Sequence, residues 1–329
     1  MDRELVKNKL REYCSKERNI SELCNKLKLN DYQILDFVRE LRSQGINIVT
    51  KVYDDDLYLY DNGERDNKNI YNQSFCTDEN HEFKFVAISD TRFGSLYQQL
   101  SILNDIYAKA AANGYTNVIH CGDISEGIYS IDNIYNDTVF LDDTLRQVDY
   151  ISRYYPKVEG INTYFITSTK DETHLKKNKI NIGKRISDLR DDLIYLGFNS
   201  STLNIDNVKM MVFNPKLGKT YTVSYRPQQQ IDSFRSEDKP DILLYGGLLQ
   251  MEKFKHRGVI GISVPSVCAT TKEMTDKRYS NTVGALYITV KTDNKGKLES
   301  IKVLDSIYYS TIDDDYQKPK ILKLSKGVK

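Results

Sequence analysis

Three apolar runs in the middle of the chain each end at an aspartate. Residues 83–89 (F-K-F-V-A-I-S) end at Asp90, 117–121 (N-V-I-H-C) run through Gly122 into Asp123, and 161–167 (I-N-T-Y-F-I-T) end near Asp171. Helical periodicity separates them. Residues 96–111 put Leu100, Leu103 and Tyr107 on one face, 141–155 stop at Pro156, and 185–196 stop at Gly197. Alternating strands and helices predict an α/β architecture, with the loops after the strand ends as the natural site. The later segments 208–213, 221–224, 242–245, 259–264, 284–290 and 302–307 read mainly as strands.

The chain of 329 residues is long enough for two domains. A net charge of +1 predicts no global attraction to nucleic acid or an anionic membrane. No apolar run approaches the ~20 residues of a membrane helix, and the charged start M-D-R-E-L-V-K-N-K-L lacks an apolar signal core, so a cytoplasmic protein is expected. Five cysteines (Cys14, Cys24, Cys76, Cys121, Cys268) are widely spaced, which predicts reduced thiols rather than a disulfide or zinc framework. Frequent Asn, Ile, Lys and Tyr suggest an AT-rich genome, bacterial or phage.

Residues 1–61 have their own pattern. Ser21 is read as an N-cap, Asn30 with Gln33 as a capping box, and Ile34, Leu35, Val38 and Leu41 as a buried helix face. Gly45 is read as the helix stop. Residues 46–52 then alternate, 53–56 turn, and 57–60 return as a second strand. Three helices followed by a two-stranded wing resemble a winged helix-turn-helix domain. That resemblance implies duplex DNA as a partner, with Gln33, Arg39, Arg42 and Lys51 as candidate contacts. Charge opposes it: residues 1–60 hold 11 Lys+Arg and 11 Asp+Glu, and the second helix of the motif also exposes Asp31 and Asp36. A protein-docking module is the competing reading. Residues 62–82 read as a linker, and 311–329 as a tail whose last thirteen residues hold five lysines.

Over about residues 83–310 the order of segments resembles the calcineurin-like metallophosphoesterase fold, a four-layer αββα sandwich in which five loops converge on two metal ions. The first loop, S-D-T-R-F-G-S, keeps the family's Asp as Asp90 and puts Arg92 in place of a His. The second, G-D-I-S-E-G, places Asp123 at the metal-bridging position. In the third, I-T-S-T-K-D, Ser168, Thr169 and Lys170 replace Gly, Asn and His, and Asp171 agrees. The fourth, V-S-Y-R-P, has Tyr225 at the His position. The fifth, L-Y-G-G-L-L-Q, puts Gly247 and Leu249 at two His positions.

The resemblance implies catalysis by metal-activated water and a general-acid His. With those imidazoles and the Asn replaced, it implies a fold kept without metal or turnover. Arg92 and Lys170 are then expected to neutralise Asp90, Asp123 and Asp171 as internal ion pairs, because crowded carboxylates otherwise repel one another or take up protons. A rewired Mn²⁺ or Mg²⁺ site of Asp90, Asp123, Asp171 and His174 is the alternative. His120 is expected to be a packed imidazole. Three functions remain in competition: a non-catalytic DNA-associated regulator or scaffold, a divergent metal-dependent phosphoesterase or nuclease, and a phage structural or assembly protein.

Overall fold

The computed structural model describes residues 3–44, 46–53, 56–64, 73–129, 133–214 and 222–316. The first elements are α1 (Arg3–Tyr13), β1 (Arg18–Asn19), α2 (Ile20–Leu27), α3 (Asp31–Ser43), β2 (Ile46–Tyr53) and β3 (Asp56–Glu64). They bury one small core around Leu10, Leu23, Ile34, Leu41, Ile48 and Leu59. The Asn30–Gln33 capping box forms as read, whereas α2 is capped by Asn19 rather than Ser21. Besides the expected β2–β3 hairpin, the two-residue β1 adds a third antiparallel strand. Gly45 and residues 54 and 55 of the expected turn lie outside the described residues.

The remaining elements are β4 (Gln73–Phe75), β5 (Glu82–Ile88), α4 (Leu100–Ala112), β6 (Asn117–His120), α5 (Thr144–Tyr154), β7 (Asn162–Thr167), α6 (Glu172–Asn178), α7 (Ile182–Leu189), β8 (Leu193–Phe198), β9 (Ser200–Ile205), β10 (Val208–Phe213), α8 (Tyr225–Ser233), β11 (Ile242–Tyr245), β12 (Glu252–His256), β13 (Val259–Ser263), α9 (Lys272–Asp276), β14 (Gly284–Thr292) and β15 (Leu298–Ile307). They build two six-stranded mixed sheets, ordered β15-β14-β5-β6-β7-β8 and β12-β13-β11-β10-β9-β4. Strands β5 to β8 run parallel, as the β–α rhythm requires.

Four layers follow from where the apolar side chains point. One face of the first sheet packs Val86, Val118 and Phe165 against Leu103 and Ile106 of α4, Ile151 of α5 and Ile186 of α7. Its other face packs Phe85, Ile119 and Ile166 against Leu203, Met210, Val212, Leu244 and Ile262 of the second sheet. The outer face of that sheet buries Leu243 and Tyr245 against Ile231 of α8. Because β5, β6 and β7 are covered on both faces, they read as continuous apolar runs rather than alternating ones.

Four readings are corrected. The helix expected over 185–196 is α7 followed by β8. The chain breaks at Arg190, whose guanidinium bonds Asp192 and the carbonyls of Ser152, Tyr155 and Pro156, and L-I-Y-L-G-F then joins the sheet. The strand expected over 221–224 is replaced, in its described residues, by a turn into α8, with Pro227 in the helix's first turn, where a missing N–H costs little. The linker read over 62–82 contributes β4, which pairs parallel with β9. Finally, the expected tail packs on the body up to residue 316. Tyr316 stacks on Phe140 with ring centroids 4.3 Å apart, and Asp315 accepts from the Ser101 N–H at 2.8 Å, capping α4.

Candidate functional site

Five strand ends meet at one edge of the sandwich. Those of β5, β6 and β7 lead into Asp90, Asp123 and Asp171; β10 leads into Asn214, and β11 into Gly246 and Gly247. Backbone bonds stitch the first two loops together: Asp90 N–H to Gly122 O at 3.0 Å, Arg92 N–H to Asp123 O at 3.1 Å and Phe93 N–H to Ile124 O at 2.9 Å. Asp90, Arg92, Asp123 and Leu249 all have positive φ, between 47° and 62°. Such conformations in non-glycine residues cost of order 1–3 kcal/mol each and concentrate at functional sites. Gly246 is fixed by contact instead, since a Cβ there would lie 1.9 Å from the Cys121 carbonyl oxygen.

The electrostatics rest on buried groups. Asp90 Oδ1 accepts from Arg92 Nη2 at 3.1 Å. Its Oδ2 accepts from the Ser89 hydroxyl at 2.7 Å and the Gly247 N–H at 3.2 Å. Arg92 lies between Asp90 and Glu126, with Nη1 3.8 Å from Glu126 Oε2. Burial works against its charge, but Cys268, Glu126, Asp90 and Asp123 around it hold its pKa well above the ordinary value. Glu126 is buried as well. Its Oε1 accepts from the Tyr129 hydroxyl and from Lys170 Nζ at 2.6 Å, whereas Oε2 has no hydrogen-bond partner.

Lys170 departs from expectation. Its ammonium turns to Glu126, to the Tyr129 hydroxyl and to Glu273 Oε2 at 3.0 Å rather than to the three aspartates. Only its backbone N–H reaches Asp123, at 3.3 Å. Burial would raise the Glu273 carboxyl, but Lys170 and Lys277 bring it down to about 2. Asp123 and Asp171 are served by hydroxyls and amides. The Ser168 hydroxyl accepts from the Asp123 N–H at 2.8 Å and donates back to its Oδ1. Asp171 accepts from the Ser125 N–H and hydroxyl at 2.9 and 2.7 Å and from the Ser168 N–H at 2.9 Å. Burial, reinforced by Asp90, pushes Asp123 up to about 8; burial raises Asp171 only to about 6 because its donors oppose it.

His174 does not join the carboxylates. It is buried with Nε2 3.0 Å from the Ser125 hydroxyl and Nδ1 2.9 Å from that of Thr144, and burial brings its pKa down to about 4. The rewired set of Asp90, Asp123, Asp171 and His174 therefore does not assemble, because both ring nitrogens already face hydroxyls. His120 is packed as expected, with Nε2 2.9 Å from the Thr91 hydroxyl and a pKa that burial lowers to about 3. Thr169 is half-buried on the third loop. Leu249 packs into a small apolar cluster with Cys268 and Met274, and Gly247 contributes only its N–H to Asp90.

Tyr225 is also displaced from its expected place. It is half-exposed at the start of α8, where its hydroxyl accepts from Gln229. The fourth strand end belongs to β10, and its residue at the site is Asn214, whose side-chain N–H₂ donates to Cys121 O at 2.7 Å. The signal was the run V-F-N at the end of an alternating strand, the same placement as the three aspartates. Glu126 was also missed, although it stands three residues after Asp123 within the quoted motif.

A two-ion centre does not fit this donor set. Both oxygens of Asp90 and of Asp171 are engaged, a guanidinium occupies the space beside Asp90, and Leu249 presents carbon. Among the described residues, no group of three or more His, Cys, Asp and Glu side chains is arranged to hold a metal ion.

At the candidate DNA face, Gln33 is committed to its capping box. Arg42 donates to Ile48 O at 2.8 Å, and Lys51 pairs with Glu17 at 3.0 Å. Arg39 is exposed on α3, and so is Tyr32 two helical turns earlier, at 85%. No helix among the described residues is long and apolar enough to cross a membrane.

No family model and no curated protein matches the sequence. Solved structures do. The chain is similar to an archaeal phosphodiesterase (12% identity, TM-score 0.39, 69% of this chain and 100% of that one). It is similar to a zinc-complexed Vps29 from Entamoeba histolytica (12%, 0.35, 68% and 99%), and to vacuolar protein sorting 29 from Cryptosporidium parvum (11%, 0.36, 69% and 98%). Each of these likenesses is one of fold alone.

Proposed function

We propose that the chain is a non-catalytic phosphoesterase-like protein that serves as a scaffold. The observation that carries this reading is the Arg92 guanidinium, 3.1 Å from Asp90 and facing Glu126 in the convergence of strand ends. A fixed cation there repels a dication and offers no lone pair to one. Asp90 then has its counter-charge without a metal, and the loops keep their geometry through backbone and hydroxyl bonds. The test combines metal analysis of the purified protein with Mn²⁺ titration and hydrolysis of bis-p-nitrophenyl phosphate. The expected result is no retained dication and background hydrolysis. Retained manganese together with turnover would return the chain to the metal-dependent phosphoesterases or nucleases.

For the N-terminal unit, the winged helix-turn-helix reading draws on three helices and a hairpin. Its DNA-binding form draws on Arg39 alone among the four candidates, because Gln33, Arg42 and Lys51 are engaged internally. Phosphate contacts impose a steep salt dependence that one arginine does not supply. The scaffold reading therefore takes this unit as a protein-docking module.

A further inference from the structure

Strand β15 ends its sheet, runs for ten residues, and has no strand on its outer side among the described residues. Lys253 Nζ reaches its Ile301 carbonyl at 3.4 Å. Beside it lies a groove of about 600 Å³ lined by Lys84, Lys109, Tyr287, Thr289, Lys302 and Leu304, among others. The register explains the lining. Lys302 stands opposite Thr289, which stands opposite Lys84, so the three form one row across β15, β14 and β5. Leu304 stands opposite Tyr287 on the same face and is 48% exposed. Lys109 is paired with Asp105 and Lys84 with Glu82, whereas Lys302 has no carboxylate within ion-pair distance among the described residues.

We propose that this edge and groove dock an extended acidic segment of a partner protein, which adds to β15 as a further strand. The unpaired edge supplies main-chain hydrogen bonds, and alternate side chains of the guest fall on the groove face. A carboxylate meets Lys302, and an apolar residue two positions away meets Leu304. Single-stranded nucleic acid fits less well. Tyr115 and Tyr287 pack edge-to-face at 5.2 Å and are each only 8% exposed, so no ring face is free for a base, and Glu82 lines the groove. The chain's own residues 317–329, with five lysines and no acid, carry the wrong charge.

The test uses the full-length protein and a fluorescent ten-residue probe peptide. The peptide has glutamate and valine two positions apart on one face and threonine elsewhere. A lysine-for-glutamate peptide and a single-stranded oligonucleotide are the comparators. The acidic peptide is expected to bind at low salt, to weaken as salt rises, and to slow amide exchange in residues 298–307. K302E is expected to weaken it about fivefold or more, with K302Q intermediate. No binding, equal binding of the lysine peptide, or binding of the oligonucleotide alone overturns the proposal. None of these outcomes depends on whether the pocket holds metal.

Discussion

Replacing Arg92 by methionine removes the guanidinium while keeping much of its length. At an effective dielectric of about 20, its attraction is worth about 5 kcal/mol to Asp90 at 3.1 Å and about 4 kcal/mol to Glu126 at 3.8 Å. Desolvation of three buried charged groups cancels much of this. Removing one partner of a buried pair nevertheless costs about 3–5 kcal/mol, because a charge is left uncompensated. R92M is therefore expected to lose about that much at pH 8 in guanidinium chloride denaturation. Adding Asp90→Asn to R92M should recover part of the loss. A cost below about 1 kcal/mol at pH 8 would refute the view that Arg92 is the counter-charge of this pocket.

Asp315→Ala removes the cap that the C-terminal segment lends to α4, whose own preceding residue Gln99 makes no side-chain cap bond. The expected cost is about 1 kcal/mol in the same denaturation assay. Asp123, raised to about 8 in the folded state, contributes stability that is fully present below its unfolded pKa and is lost as pH rises toward 8. Asp123→Asn should flatten that slope between pH 5 and 8, and an unchanged slope would assign it to another group.

The main architecture was legible because burial on both faces forces continuous apolar runs, and β5, β6 and β7 are such runs. The helices α4 and α5 were legible from their single apolar stripes. What escaped notice lies where the pattern is weak. Strand β9, S-S-T-L-N-I, buries only Leu203 and Ile205. Strand β12, E-K-F-K-H, is an edge strand with no fully buried residue. Strand β8 merged with α7 because only the three residues 190–192 separate them, and nothing in periodicity reports that Arg190 folds back onto the end of α5. Strand β4 has three residues and exists only through its pairing with β9.

At the site, the sequence reported the charges but not how each is kept. Four buried carboxylates, Asp90, Asp123, Asp171 and Glu126, meet two cations. Lys170 was expected among the aspartates. It instead joins Glu126 to Glu273 and so ties the third loop to α9. The three aspartates are consequently served by separate means: Asp90 by a guanidinium, Asp171 by three hydrogen-bond donors, and Asp123 by the Ser168 hydroxyl and the Lys170 N–H. A basic residue in a metal loop stands out in a sequence. A serine that donates to a carboxylate does not, because serine is common in every loop. Burial raises the carboxyls of Asp123 and Asp171 above the ordinary range while serine hydroxyls and backbone amides oppose it, so the charge of this pocket is set by desolvation and by donors that no count of its acidic residues reports.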